Sequence, residues 1–86
     1  MKKSAKELLG FVLASKIRRS ILSSLDEQPM RPMELAQKIG AKQQNVSRCL
    51  FELADSDIVE CLNPKNRAWR VYALTQKGKK ISTKIK

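Results

Sequence analysis

The sequence predicts an α+β fold, mainly α-helical, and three observations carry that expectation. Five segments place apolar residues at the three- and four-residue spacing of amphipathic helices. Two short runs rich in β-branched and aromatic residues, Ile58 to Leu62 and Trp69 to Leu74, read as strands joined by a loop of proline and asparagine. The chain has 86 residues, 42 % of them apolar, which suits one small folded domain rather than a disordered tail.

Taken in order, Ser4 to Leu13 reads as a short helix carrying Leu8, Leu9, Val12 and Leu13. Ser15 is an N-cap candidate for a second helix, with Ile17, Ile21, Leu22 and Leu25 inward and Lys16, Arg18 and Arg19 outward. Asp26-Glu27-Gln28-Pro29 ends it. Pro32 suits the first position of a third helix, whose buried stripe is Leu35, Ala36 and Ile39. Gly40 stops that helix as a C′ glycine. Lys42 to Asp55 reads as a fourth helix. Val46, Leu50 and Leu53 gather on one side with Cys49 beside them, while Gln44, Arg48 and Asp55 lie opposite. Ser56-Asp57 breaks it, the hairpin follows, and Thr75 caps a last helix with a thin stripe of Ile81 and Ile85. One domain over 1–86 is expected: a helix-turn-helix at about 32–55, a hairpin at about 58–74 and a last helix at about 75–85.

Composition removes several function classes. The chain contains no histidine and no glycine-rich phosphate loop, so the commonest general base and metal ligand are missing and an enzyme is not expected. Cys49 and Cys61, twelve residues apart, do not form a zinc pair and read as small apolar residues in a reduced, cytoplasmic setting. No apolar run nears the roughly 18 residues of a membrane span, and the basic start Met1-Lys2-Lys3 lacks the features of a secretory signal. No cofactor, metal or small-molecule ligand is expected. The net charge is +10, unevenly spread: net +3 over 1–29, net −1 over 30–62, and +8 over 63–86, a stretch without a single acid. An excess of that size on a folded domain points to a polyanionic partner.

Two helices joined by a short glycine turn form a helix-turn-helix, whose second helix reads the DNA major groove with its N-terminal residues. Here those residues are Lys42, Gln43, Gln44, Asn45, Ser47 and Arg48. Gln and Asn pair with adenine, Arg pairs with guanine, and Ser or Lys holds phosphates. The competing interpretation is the solvated polar face of an ordinary helix.

Residues 13–25, LASKIRRSILSSL, resemble the first helix of arsenic-repressor-type (ArsR) regulators. Residues 33–53, MELAQKIGAKQQNVSRCLFEL, resemble the winged helix-turn-helix core shared by that group and the multiple-antibiotic-resistance-type (MarR) regulators. Residues 58–78, IVECLNPKNRAWRVYALTQKG, resemble the hairpin wing and following helix of the latter. The resemblance implies a winged helix, with 42–48 opening the recognition helix and 63–68 forming the wing. On that wing Lys65, Arg67 and Arg70 would sit at or near the tip, with Asn63 and Asn66 as polar partners, to track the DNA backbone or reach a minor groove. Metal-sensing relatives carry clustered cysteines or histidines, and drug-sensing relatives are much longer; this chain has neither feature.

The helix starts near 31 and 42 commonly carry Ser or Thr in the resembling families, but here carry Arg31 and Lys42. Both cap poorly and oppose the helix dipole, so both are expected to reach phosphates flanking the groove, unless the helix starts lie a residue or two away. Trp69, Val71 and Tyr72 are expected in the core, Met30 and Met33 to pack near a helix start, and Phe51 to cover the wing or meet a second subunit. The apolar first helix and thin last helix suggest a homodimer. The function expected is sequence-specific binding of double-stranded DNA by a transcription regulator acting through operator occupancy. A winged-helix protein-interaction module and a nonspecific chromatin-like or RNA-binding protein are the alternatives.

Overall fold

The computed structural model describes residues 4–85; the basic start Met1-Lys2-Lys3 and the terminal Lys86 lie outside them. Five helices and one hairpin follow in the order α1 (Ala5–Leu13), α2 (Lys16–Glu27), α3 (Pro32–Ile39), α4 (Gln43–Asp55), β1 (Val59–Cys61), β2 (Tyr72–Leu74) and α5 (Gln76–Ile85).

Local chemistry sets most of these boundaries. The Ser4 hydroxyl accepts from the Glu7 N–H and the Glu7 carboxylate accepts from the Ser4 N–H, a capping box that starts α1. The Ser15 hydroxyl accepts from the Arg18 N–H at the start of α2. Gly40 closes α3 at φ 76°, a left-handed conformation that costs glycine nothing. The Thr75 hydroxyl accepts from the Gly78 N–H to start α5.

Helix α2 is the centre of the molecule, packing against α1, α3, α4, α5 and β2. Its Ile21 and Leu22 are fully buried with Leu35 of α3, Val46, Leu50 and Leu53 of α4, and Ile58 and Val59 leading into the sheet. Helices α3 and α4 pack on each other around the Gly40 turn, so that the stripe of α4 is anchored and its opposite face is free.

The sheet is antiparallel, with Val59 opposite Leu74 and Cys61 opposite Tyr72. A third segment joins at one point: Met30 and Tyr72 exchange backbone hydrogen bonds of 3.0 and 2.9 Å. Both strands are shorter than the predicted runs. The cause is Asn63, whose Oδ1 accepts from the Val71 N–H at 2.8 Å and whose Nδ2 donates to the Trp69 carbonyl at 2.6 Å. These side-chain bonds replace the ladder beyond Leu62 and turn the rest into loop.

Two side chains depart from expectation. Arg18 is turned inward: its Nη1 donates to the Phe11 carbonyl at 2.8 Å, its Nη2 meets Glu52 at 3.3 Å, and its guanidinium lies 3.8 Å from the Phe11 ring centre. The end of α1 leaves a carbonyl to satisfy, and a long cationic side chain reaches it while covering apolar surface with its stem. Trp69 is the second departure. It stands 60 % exposed in the wing loop, because the Asn63 and Asn66 bonds carry its backbone away from the sheet. Val71 and Tyr72 are half-buried and Met30 is buried, whereas Met33 is exposed.

Candidate nucleic-acid interface

Helix α4 begins where the sequence places it, with Lys42 as its N-cap and no side chain accepting from its first turn. Lys42, Gln43, Gln44, Ser47 and Arg48 are exposed, and Asn45 is half-buried. Val46, Cys49, Leu50 and Leu53 hold the opposite side in the core. Phe51, 77 % exposed, extends the outward face one turn further.

Arg31 is the N-cap of α3, also as placed from the sequence, but its charge is already engaged. The Glu34 carboxylate accepts from the Arg31 N–H at 2.9 Å and from its Nε at 3.2 Å. Those bonds, the backbone one foremost, hold the Glu34 carboxyl below its ordinary range. The carboxylate thereby supplies the negative charge that the helix start wants and that a cationic cap cannot give. The Arg31 guanidinium lies 4.8 Å from the ring centre of Trp69, within cation–π range.

A groove of about 390 Å³ runs between the start of α3, the outer face of α4 and the wing. Gln43 and Ser47 line it from α4, Arg67, Trp69 and Arg70 from the wing, and Arg31 from α3. The fold thus gathers part of the predicted set into one concave, cation-rimmed surface. Lys42, Gln44, Arg48 and Lys65 are exposed outside its lining, and the half-buried Asn45 lies outside it too. Among the described residues, Lys42, Arg48, Lys65, Arg67 and Arg70 make no ion pair.

Asn63 and Asn66 take a different part from the one expected. Asn66 Oδ1 accepts from the N–H groups of Ala68 and Trp69 at 3.0 and 2.9 Å, and both polar ends of Asn63 are bonded within the loop. They build the wing's shape. The basic C-terminal quarter also divides: Lys65, Arg67 and Arg70 are on the wing, whereas Lys77, Lys79, Lys80 and Lys84 are on α5, which packs on α1 and α2.

Sequence reasoning missed Trp69 and Met33, which add apolar surface to the groove. The signal was the run Arg67-Ala68-Trp69-Arg70, where cations bracket the ring; a core strand rarely flanks its buried aromatic residue that way. No three metal-binding side chains cluster, and no helix is long and apolar enough to cross a membrane, among the described residues.

A family model described as the HVO_A0261 N-terminal domain matches residues 6–86. The chain belongs to that family. No curated protein matches the sequence. Among solved structures, the MarR family transcription regulator SP03579 is similar at 29 % identity, with a TM-score of 0.74 over 83 % of this chain and 48 % of that one. The adhesin competence repressor AdcR of Streptococcus pyogenes is 18 % identical, with a TM-score of 0.74 over 92 % of this chain and 65 % of that one. An apo structure of ZitR from Lactococcus lactis is 17 % identical, with a TM-score of 0.75 over 93 % and 65 %. The last two likenesses establish the fold alone, the winged helix-turn-helix. The chain spans about half the length of SP03579 and of a second ZitR structure. The MarR-type resemblance is thereby borne out, while the arsenic-repressor likeness rests on the sequence motifs.

Proposed function

We propose that the chain is a DNA-binding transcription regulator that acts by occupying an operator and performs no chemistry of its own. The observation that carries this reading is the outward display of Gln44 and Arg48 on α4, whose Gln43 and Ser47 line the cation-rimmed groove. In this reading α4 enters the major groove, Gln43, Gln44, Asn45 and Arg48 meet base edges, and Lys42 and Ser47 hold phosphates. Lys65, Arg67 and Arg70 follow the adjacent backbone, with Arg31 contributing from α3. The likeness to a MarR family transcription regulator supports the assignment; a homodimer working in the cytoplasm belongs to the same proposal. The absence of histidine and of a Gly-rich loop supports a non-enzymatic role.

The test is a titration of random duplex, selected duplex and RNA at two salt concentrations. A selected site should bind about a thousandfold or more tighter than random duplex at physiological salt. Equal affinity for random and selected duplex would instead favour a nonspecific nucleic-acid binder. The four lysines on α5, none of which lines the α4 and wing groove, are the observation on that side.

A further inference from the structure

Trp69 is a large apolar ring that the core does not use. Its side chain is 60 % exposed, yet its backbone is clasped on both sides, the N–H by Asn66 Oδ1 and the carbonyl by Asn63 Nδ2. The loop therefore fixes the point on the surface from which this side chain leaves the backbone. Burying such a ring is a major stabilising contribution, and this position forgoes most of it. The ring shares its groove with Gln43 and Ser47 of α4 and with Arg67 and Arg70 of the wing. Arg31 stacks on it, and Met33, 53 % exposed, lines the same groove.

We infer that Trp69 is a DNA-contacting, positioning residue that packs its ring on the apolar deoxyribose face of the strand lying between α4 and the wing. The inference rests on the DNA-binding reading above and adds to it a contact that charge does not provide. A duplex strand alternates phosphates with sugars whose C–H surface is apolar. The groove offers both kinds of surface in one lining, Arg67 and Arg70 for phosphates and the Trp69 indole for sugars, together with Gln43 and Ser47 of α4. Arg31, paired with Glu34, stacks on the ring from the start of α3. Because the indole releases no counter-ion, its share of the affinity does not change with salt.

The test titrates the whole chain with a labelled random-sequence DNA duplex at several salt concentrations. It follows label anisotropy together with the emission of Trp69, the chain's one tryptophan. Emission should change with the same midpoint as anisotropy. Trp69→Ala should weaken binding ~10-fold at every salt concentration, with the slope of log K against log salt unchanged. Arg31→Gln, which removes the cation stacked on the ring, should keep the emission response. Duplex binding that leaves emission unaltered, or wild-type affinity in Trp69→Ala, overturns the inference and leaves the DNA-binding reading standing. An emission response lost in Arg31→Gln makes the ring a strut for the wing and overturns it too. No duplex binding at any salt concentration removes the DNA-binding reading and this inference together.

Discussion

Gly78 lies so close to the turn after α4 that a Cβ there would stand 2.1 Å from the Ile58 carbonyl oxygen, a backbone atom with no freedom to move aside. That carbonyl also accepts from the Thr75 N–H and hydroxyl, so displacing it would loosen the sheet and the start of α5 together. Gly78→Ala should destabilise the fold by about 2–3 kcal/mol, the upper range for overpacking, with urea unfolding as the measurement. Gly10, in mid-α1 with nothing within 4 Å of its would-be Cβ, gives the opposite sign. Gly10→Ala should stabilise by roughly 0.5–1 kcal/mol through helix propensity. The two cysteines divide in a similar way. Burial foremost, then the nearby Glu52 carboxylate, raises the Cys49 thiol pKa, whereas Cys61 is half-buried and donates to Asn63 at 3.5 Å. Thiolate is the reacting form, so a thiol reagent should modify Cys61 first at neutral pH. Mass spectrometry of the peptides after brief labelling would show the order, and faster labelling of Cys49 would contradict it.

The start of each element was legible wherever one side chain decides it. Ser15, Gly40 and Thr75 each act within four residues of themselves, and each acts as the sequence implied, whereas Ser4, read as the first residue of α1, is its N-cap. The uncapped starts at Arg31 and Lys42 were equally readable, but their consequences now differ. Lys42 makes no ion pair, so Lys42→Ser should raise stability by about 0.5–1 kcal/mol while weakening duplex binding. Arg31→Ser gains a cap and keeps the Glu34 bond to its backbone N–H, but it loses the Nε contact to Glu34 and the Trp69 stack, so its stability should rise less than in Lys42→Ser. Thermal melts of the two variants, compared side by side, check this difference. What the sequence concealed is non-local. The inward turn of Arg18 depends on a carbonyl seven positions back and a carboxylate 34 positions on. The short strands and exposed Trp69 depend on an asparagine choosing loop amides over solvent. Neither choice leaves a periodic trace.

The described residues span 34 × 27 × 21 Å, and the cations of the C-terminal quarter divide between the wing and α5. Their separation affects how salt data are read. If the groove alone engages DNA and neutralises ~5 phosphates per subunit, log K should fall against log salt with a slope of about −4.5, doubled for a dimer. Neutralising the α5 lysines Lys77, Lys79, Lys80 and Lys84 to glutamine should then leave that slope nearly unchanged. A fall as large as that from losing Arg67 and Arg70 would assign α5 to the interface. Sedimentation at tens of micromolar tests the homodimer, and a mass equal to one chain counts against it. The charge total was visible in the sequence, but its partition between two surfaces required the fold, because α5 follows the wing in the chain yet packs back on α1 and α2.

The clasp that Asn63 and Asn66 place around the wing loop also bears on the kinetics and heat of association. Segments that order only on contact with their partner slow productive docking and add a large negative heat-capacity change. A loop already fastened to its own side chains has no such transition to make. Encounter with a polyanion should therefore proceed at a rate set by electrostatic steering. Calorimetry should record a heat-capacity change no larger than the contact surface requires, and Asn63→Ala, by freeing the loop, should make it more negative.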